Sequence, residues 1–195
     1  MPEVHSMGCS FHWKQAVWRK VQELGLQTAY LKDQAINRYI RRIMALTFLP
    51  YEVIATVYQS LRDEVSTEPL EQLAEYVGET WVRSTVWPPQ SWSVFMKPVR
   101  TNNDIEGWHH GLNSRAGGRC GLPMYLLVNL LHREARLTSI HIRLVSEGTL
   151  KRIERRVYRQ QQAKLFDTWA SFNDGEKTVR QFLKECARIN RPVCH

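Results

Sequence analysis

Apolar residues recur along this chain at helical intervals, and the breaks between the runs mark where each element stops. From Ser10 to Leu24, Trp13, Val17, Val21 and Leu24 share one face while Lys14, Arg19 and Lys20 take the others, and Gly25 supplies a stop. Upstream, the alternation from Pro2 to Cys9 predicts one strand feeding directly into that helix. From Asp33 onward, Ile36, Ile40, Ile43 and Leu46 repeat at the same spacing with Arg38, Arg41 and Arg42 outward, until Pro50 ends the element and opens the next. Val53, Ile54, Val57, Tyr58 and Leu61 form the following stripe, and Leu70, Leu73, Val77 and Trp81 another after Glu68. Successive helices with no strand between them predict a small all-helical module.

The periodicity fails between Ser84 and Arg100, where Trp87-Pro88-Pro89 and Lys97-Pro98 remove backbone donors and favour extended chain. Thr101-Asn102-Asn103 then offers capping side chains ahead of a short helix reaching about Leu112, and Gly117-Gly118 supplies a loop. A long helix is predicted from Pro123 to about Val145, with Leu126, Leu127, Leu130, Leu131, Leu137 and Leu144 among its apolar positions. Past Gly148, the spacing of Lys151, Arg152, Arg155, Arg156 and Arg159 gathers positive charge on adjoining faces of one more helix, and a short helix and tail close the chain.

Charge narrows the choice of partners. Lys and Arg outnumber Asp and Glu to leave a net charge of +8, which favours polyanions such as DNA through phosphate neutralisation. Cys9, Cys120, Cys186 and Cys194 lie far apart and follow no secretory signal, which points to reduced thiols in an intracellular compartment. No apolar run approaches the length of a membrane span, so a soluble protein without a membrane partner is expected. Cys9 and His12, two residues apart at the predicted strand-to-helix turn, form half of a Zn²⁺ site for which His109, His110, Cys120, Cys194 and His195 are the available completers. The competing reading, a buried thiol beside a hydrogen-bonded imidazole, is the more frequent one.

Two ordered segments carry a family resemblance. The first is Gly8-Cys9-Ser10-Phe11-His12-Trp13-Lys14-Gln15, continuing through Val17-Trp18-Arg19-Lys20 to Leu26; the second is Arg100-Thr101-Asn102-Asn103-Asp104-Ile105-Glu106-Gly107-Trp108-His109. In this order, with helices between them, they resemble the Cys-x-x-His element and the Thr-Asn-Asn-x-x-Glu-x-x-His segment of Mutator-like (MULE) DNA transposases, over about Val4 to Arg159. The resemblance implies a mainly α chain: the carboxy-terminal part of an RNase H-like α/β core with an all-helical insertion and one or few short strands. Residues 1–30 would hold the last strand and helix of the core, 31–84 the insertion, 85–100 an irregular linker, 101–165 the returning helix and long basic helices, and 166–195 a terminal helix and tail.

The same resemblance implies that Glu106 matches the last of three catalytic carboxylates, with Asn102, Asn103 and His109 around it. In the family such carboxylates hold Mg²⁺ or Mn²⁺, because hard cations prefer oxygen ligands and two ions about 3.5–4 Å apart clamp both sides of an in-line phosphodiester displacement. The two aspartates that should precede the Cys-x-x-His element are missing from this sequence, where Glu3 is the sole acid before Cys9. Asp33 and Asp63 read as a helix cap and a solvated-face residue rather than substitutes. The chain is therefore expected to be catalytically inactive alone. Arg38, Arg41, Arg42, Lys151, Arg152, Arg155, Arg156 and Arg159 become candidates for DNA backbone contact, and a nuclear, multimeric protein is implied. A non-catalytic DNA-binding or protein-interaction module derived from a transposase is the alternative.

Overall fold

A computed structural model describes residues 9–97, 103–117, 121–147 and 156–189. These residues are mainly helical and contain no strand; the strand expected over Pro2 to Cys9 falls almost wholly outside them. They divide into two units, one of residues 1–101 with 160–195 and the other of residues 102–159.

The first unit begins with α1 (Ser10–Glu23), which buries Trp13, Val17 and Val21 at i, i+4 and i+8 and ends before Gly25, whose φ of 68° only glycine adopts without strain. A helix that the sequence pattern did not reveal follows, α2 (Gln27–Lys32), with Leu26 and Tyr30 turned into the core. The Asp33 carboxylate opens α3 (Gln34–Ala45) by accepting hydrogen bonds from the backbone N–H of Ala35 at 2.6 Å and Ile36 at 3.2 Å. After a 3₁₀ turn (Leu46–Phe48), Pro50 precedes α4 (Tyr51–Asp63), and Pro69 lies in the first turn of α5 (Glu68–Val77). That helix runs on into a π turn (Gly78–Val82), where a Cβ on Gly78 would collide with the Tyr58 hydroxyl.

The proline-rich stretch expected to be an irregular linker is irregular but not solvated. It contains α6 (Pro89–Trp92), and both Trp92 and Val94 are buried. Thr47 Oγ1 donates to the Trp92 carbonyl at 2.9 Å, Ser93 Oγ donates to the Leu49 carbonyl at 2.7 Å, and Val94 N–H donates to the Thr47 carbonyl at 2.8 Å. Three side-chain and backbone bonds thus fasten the crossing segment to the 3₁₀ turn, so its lost ladder hydrogen bonds are replaced in the interior.

Tryptophans knit this core together. Trp13 stacks on Trp92 with centroids 4.5 Å apart, while Trp81 meets Trp13 edge to face at 5.1 Å. Trp13 Nε1 donates to the Met44 carbonyl at 3.0 Å and Trp169 Nε1 to the Phe48 carbonyl at 3.1 Å, so these two rings bury area without orphaning their N–H groups, whereas Trp81 Nε1 is buried with no hydrogen-bond partner among the described residues. Trp169 lies in α9 (Arg156–Asn173), whose Phe172 stacks on Phe182 of α10 (Val179–Ile189). Phe182, Leu183, Cys186 and Ala187 put one face of α10 into the core, where it packs against α3. The end of the chain therefore completes the core begun by α1 and α3.

The second unit contains α7 (Asn103–Arg115) and α8 (Met124–Ser146). The short helix expected to reach about Leu112 runs to Arg115, whose guanidinium meets Glu134 of α8 with Nε–Oε1 and Nη2–Oε2 distances of 2.7 Å. Glu134 is the buried member of this pair. The fork-to-fork contact gives both oxygens of the buried carboxylate a guanidinium donor.

Candidate nucleic-acid interface

The basic residues singled out on α3 have three different roles. Arg38 is exposed, its Nε donating to the Gln34 carbonyl one turn back at 3.1 Å. Arg41 is half-buried and donates to the Ala187 carbonyl near the end of α10. Arg42 makes a two-pronged ion pair with Glu64, one prong at 3.0 Å and the other shorter. Those hydrogen bonds hold the Glu64 carboxyl below its ordinary range despite the opposing effect of partial burial, and Arg180 adds to the effect from α10. Arg41 and Arg42 are thus partly spent on holding α3, α10 and Glu64 together.

That fastening exposes a basic row that the sequence pattern alone did not bring forward. With Phe182, Leu183, Cys186 and Ala187 inward, Arg180, Lys184 and Arg188 fall at i, i+4 and i+8 on the exposed flank of α10. Arg41 touches Ala187 beside this flank, and Arg180 is close enough to act on Glu64, the partner of Arg42. Within the same helix Glu185 is occupied by Lys177 at 2.6 Å. Packing of α10 on α3 thus brings Arg41 to Ala187 across the sequence, with Arg180, Lys184 and Arg188 exposed on α10, Arg38 exposed on α3, and the acidic Glu64 within reach of Arg42 and Arg180. The row on α10 could have been found from its spacing of four, but it lacks the density of charge that marks 151–159.

Of that denser group, Lys151, Arg152 and Arg155 lie outside the described residues, as do the side chains of Arg156 and Arg159, whose backbone opens α9. Asn102 also lies outside them, and so does the side chain of Asn103, the first residue of α7. Glu106 is in the first turn of α7 and is exposed, a position where a carboxylate is favoured by the N-terminal dipole. Trp108 and His109 follow on the same helix, both exposed, with ring centroids 5.1 Å apart.

Cys9 and His12 flank the start of α1. Cys9 is half-buried in extended backbone and its carbonyl accepts from Trp13 N–H at 3.0 Å; the exposed His12 ring meets Phe11 at 5.5 Å. Among the described residues there is no group of three His, Cys, Asp or Glu side chains arranged to hold a metal ion. Asp33 caps α3, and Asp63 accepts from Gln59 Nε2 at 3.1 Å, so each has the local structural use its sequence context suggested.

Fold and site together define a basic, mainly helical protein with exposed cations on α3 and α10, and no helix among the described residues is long and apolar enough to cross a membrane. Comparison of the chain with known protein families, with curated proteins and with solved structures finds no match.

Proposed function

We propose that this chain descends from a MULE-type DNA transposase and that these residues bind duplex DNA through its phosphate backbone without cutting it by themselves. The single observation that carries the binding half is the exposed row of Arg180, Lys184 and Arg188 on α10, a helix packed against the arginine-bearing α3. Three exposed cations in a row suit phosphate groups, which demand charge and N–H donors rather than a base code. Arg180 to Arg188 spans eight residues, about 12 Å at 1.5 Å per residue, the axial length over which one strand presents three to four phosphates.

The descent is supported by the ordered pair of motifs at Cys9 to His12 and at Asn102 to His109, with Glu106 as the inherited acid. On this reading the RNase H-like ancestry, a nuclear location and the use of Mg²⁺ or Mn²⁺ are properties of the family. Glu106 contributes one carboxylate where two-ion chemistry needs a set of oxygen ligands, and Asp33 and Asp63 are engaged in capping and in a side-chain hydrogen bond. The chain therefore acts as a binding module.

Incubating the chain with labelled duplex DNA and Mg²⁺ or Mn²⁺ tests both halves. A salt-sensitive shift in mobility with intact strands is expected. Strand cleavage or joining that disappears in Glu106→Gln would replace the binding module with an enzyme, and failure to retain duplex at low ionic strength would remove the DNA-binding reading.

A further inference from the structure

Glu64 is an acid placed where its own helix disfavours one. It caps the C-terminus of α4, and a carboxylate there faces the negative end of the helix dipole. What holds it is Arg42 of α3, which grips both carboxylate oxygens. In this pair the arginine is the inner partner, its side chain 22% exposed against 41% for Glu64. A second cation bears on the same carboxyl, because Arg180, where the basic row on α10 begins, helps to hold its pKa down. One outward carboxylate is thus acted on by guanidinium groups from two helices that pack against each other.

Two converging guanidiniums are a phosphate-binding arrangement, since each offers permanent charge and a planar fork of N–H donors. Among side chains a carboxylate comes closest to a phosphodiester, with two acceptor oxygens sharing one negative charge. We propose that Glu64 is a built-in stand-in for a DNA phosphate: it occupies Arg42 until a backbone phosphate displaces it and joins Arg42 to the row that begins at Arg180. This rests on the DNA-binding reading above and adds to it a fourth cation and an internal competitor.

The exchange asks little of the fold. Glu64 N–H donates to the Leu61 carbonyl at 3.2 Å and the neighbouring Val65 packs against the core, so the backbone stays where it is. Only side-chain bonds need rotate, and exposed side chains do so in nanoseconds or less. A partly exposed ion pair is worth little, so a phosphate that also meets Arg180 outcompetes the carboxylate at a small cost in affinity.

Duplex DNA binding by the full chain at about 0.1 M salt tests this, with Glu64→Gln set against Glu52→Gln. Both variants add the same unit of net charge, but Glu52 is exposed in the first turn of α4, twelve residues or about 18 Å from Glu64 along the helix and beyond the Debye length of about 10 Å. Glu64→Gln should bind about three- to fivefold more tightly than Glu52→Gln, the range set by a partly exposed pair. Arg42→Ala should lower the magnitude of the slope of log binding constant against log salt by about 0.9, one phosphate contact. Circular dichroism establishes that each variant is folded, and should Arg42→Ala not be, the comparison of the two glutamines decides alone. Wild-type chain that fails to retain duplex would remove the DNA-binding reading itself. Wild-type retention with Glu64→Gln no tighter than Glu52→Gln, or with an unchanged slope in folded Arg42→Ala, would overturn this proposal and leave that reading standing.

Discussion

Gly78 shows how a single missing methyl group shapes this protein. It stands where α5 passes into the π turn, and the space a Cβ would need is taken by the Tyr58 hydroxyl, which donates to the Ala74 carbonyl at 2.8 Å. Gly78→Ala must displace the ring or break that bond, and we predict a loss of about 1–3 kcal/mol in denaturant unfolding. Tyr39 is the opposite case: its hydroxyl is buried with no hydrogen-bond partner among the described residues, and burial pushes its pKa up. Tyr39→Phe removes an unsatisfied polar atom and keeps the ring, so unfolding should show unchanged or higher stability. Glu64 governs a pH effect. Its carboxyl is held below the ordinary value of 4.5 by the Arg42 hydrogen bonds, so its stabilising contribution is present above that value and is lost as pH falls through the lower folded one. Arg42→Ala should therefore flatten the acid limb of a stability–pH curve below about pH 4.5, by a small amount because the pair is partly exposed.

At the scale of elements, what the sequence disclosed depended on whether an apolar stripe was long enough to reveal its period. The helices built on Trp13 to Val21, Ile36 to Ile43, Ile54 to Leu61, Leu70 to Val77 and Leu126 to Leu144 stand close to where their stripes put them, because each repeats an apolar position over two turns or more; in the first four those positions are core, whereas no apolar side chain of the last is buried among the described residues. The helix Gln27–Lys32 has no such signal, since six residues place only Tyr30 in the core from within it. The buried crossing segment was equally hidden. Prolines remove local donors, and nothing local announces that Thr47, Leu49 and Trp92 will exchange bonds across more than forty residues. Trp92 is the best test of that segment: Trp92→Ala would empty the stack on Trp13 and cost about 3–5 kcal/mol in thermal or denaturant unfolding.

For the molecule as a whole, the candidate site divides along the same line. Arg38, Arg41 and Arg42 were visible as an outward arginine cluster, but only the structure shows that two of them are engaged in holding it together and that Arg180, Lys184 and Arg188 stand exposed on α10. Glu106 was singled out through its motif, and the structure places it exposed in the first turn of α7. The Arg115–Glu134 pair had no signal in the sequence, since an acid among leucines reads as a solvated interruption until its partner is found. The central claim is that the basic row on α10 engages DNA phosphates, and its most direct measure is the slope of log binding constant against log salt concentration. Replacing Arg180, Lys184 and Arg188 with alanine should lower the magnitude of that slope by about 2–3, at roughly 0.9 for each phosphate no longer neutralised. A wild-type slope retained by the triple variant would contradict the account.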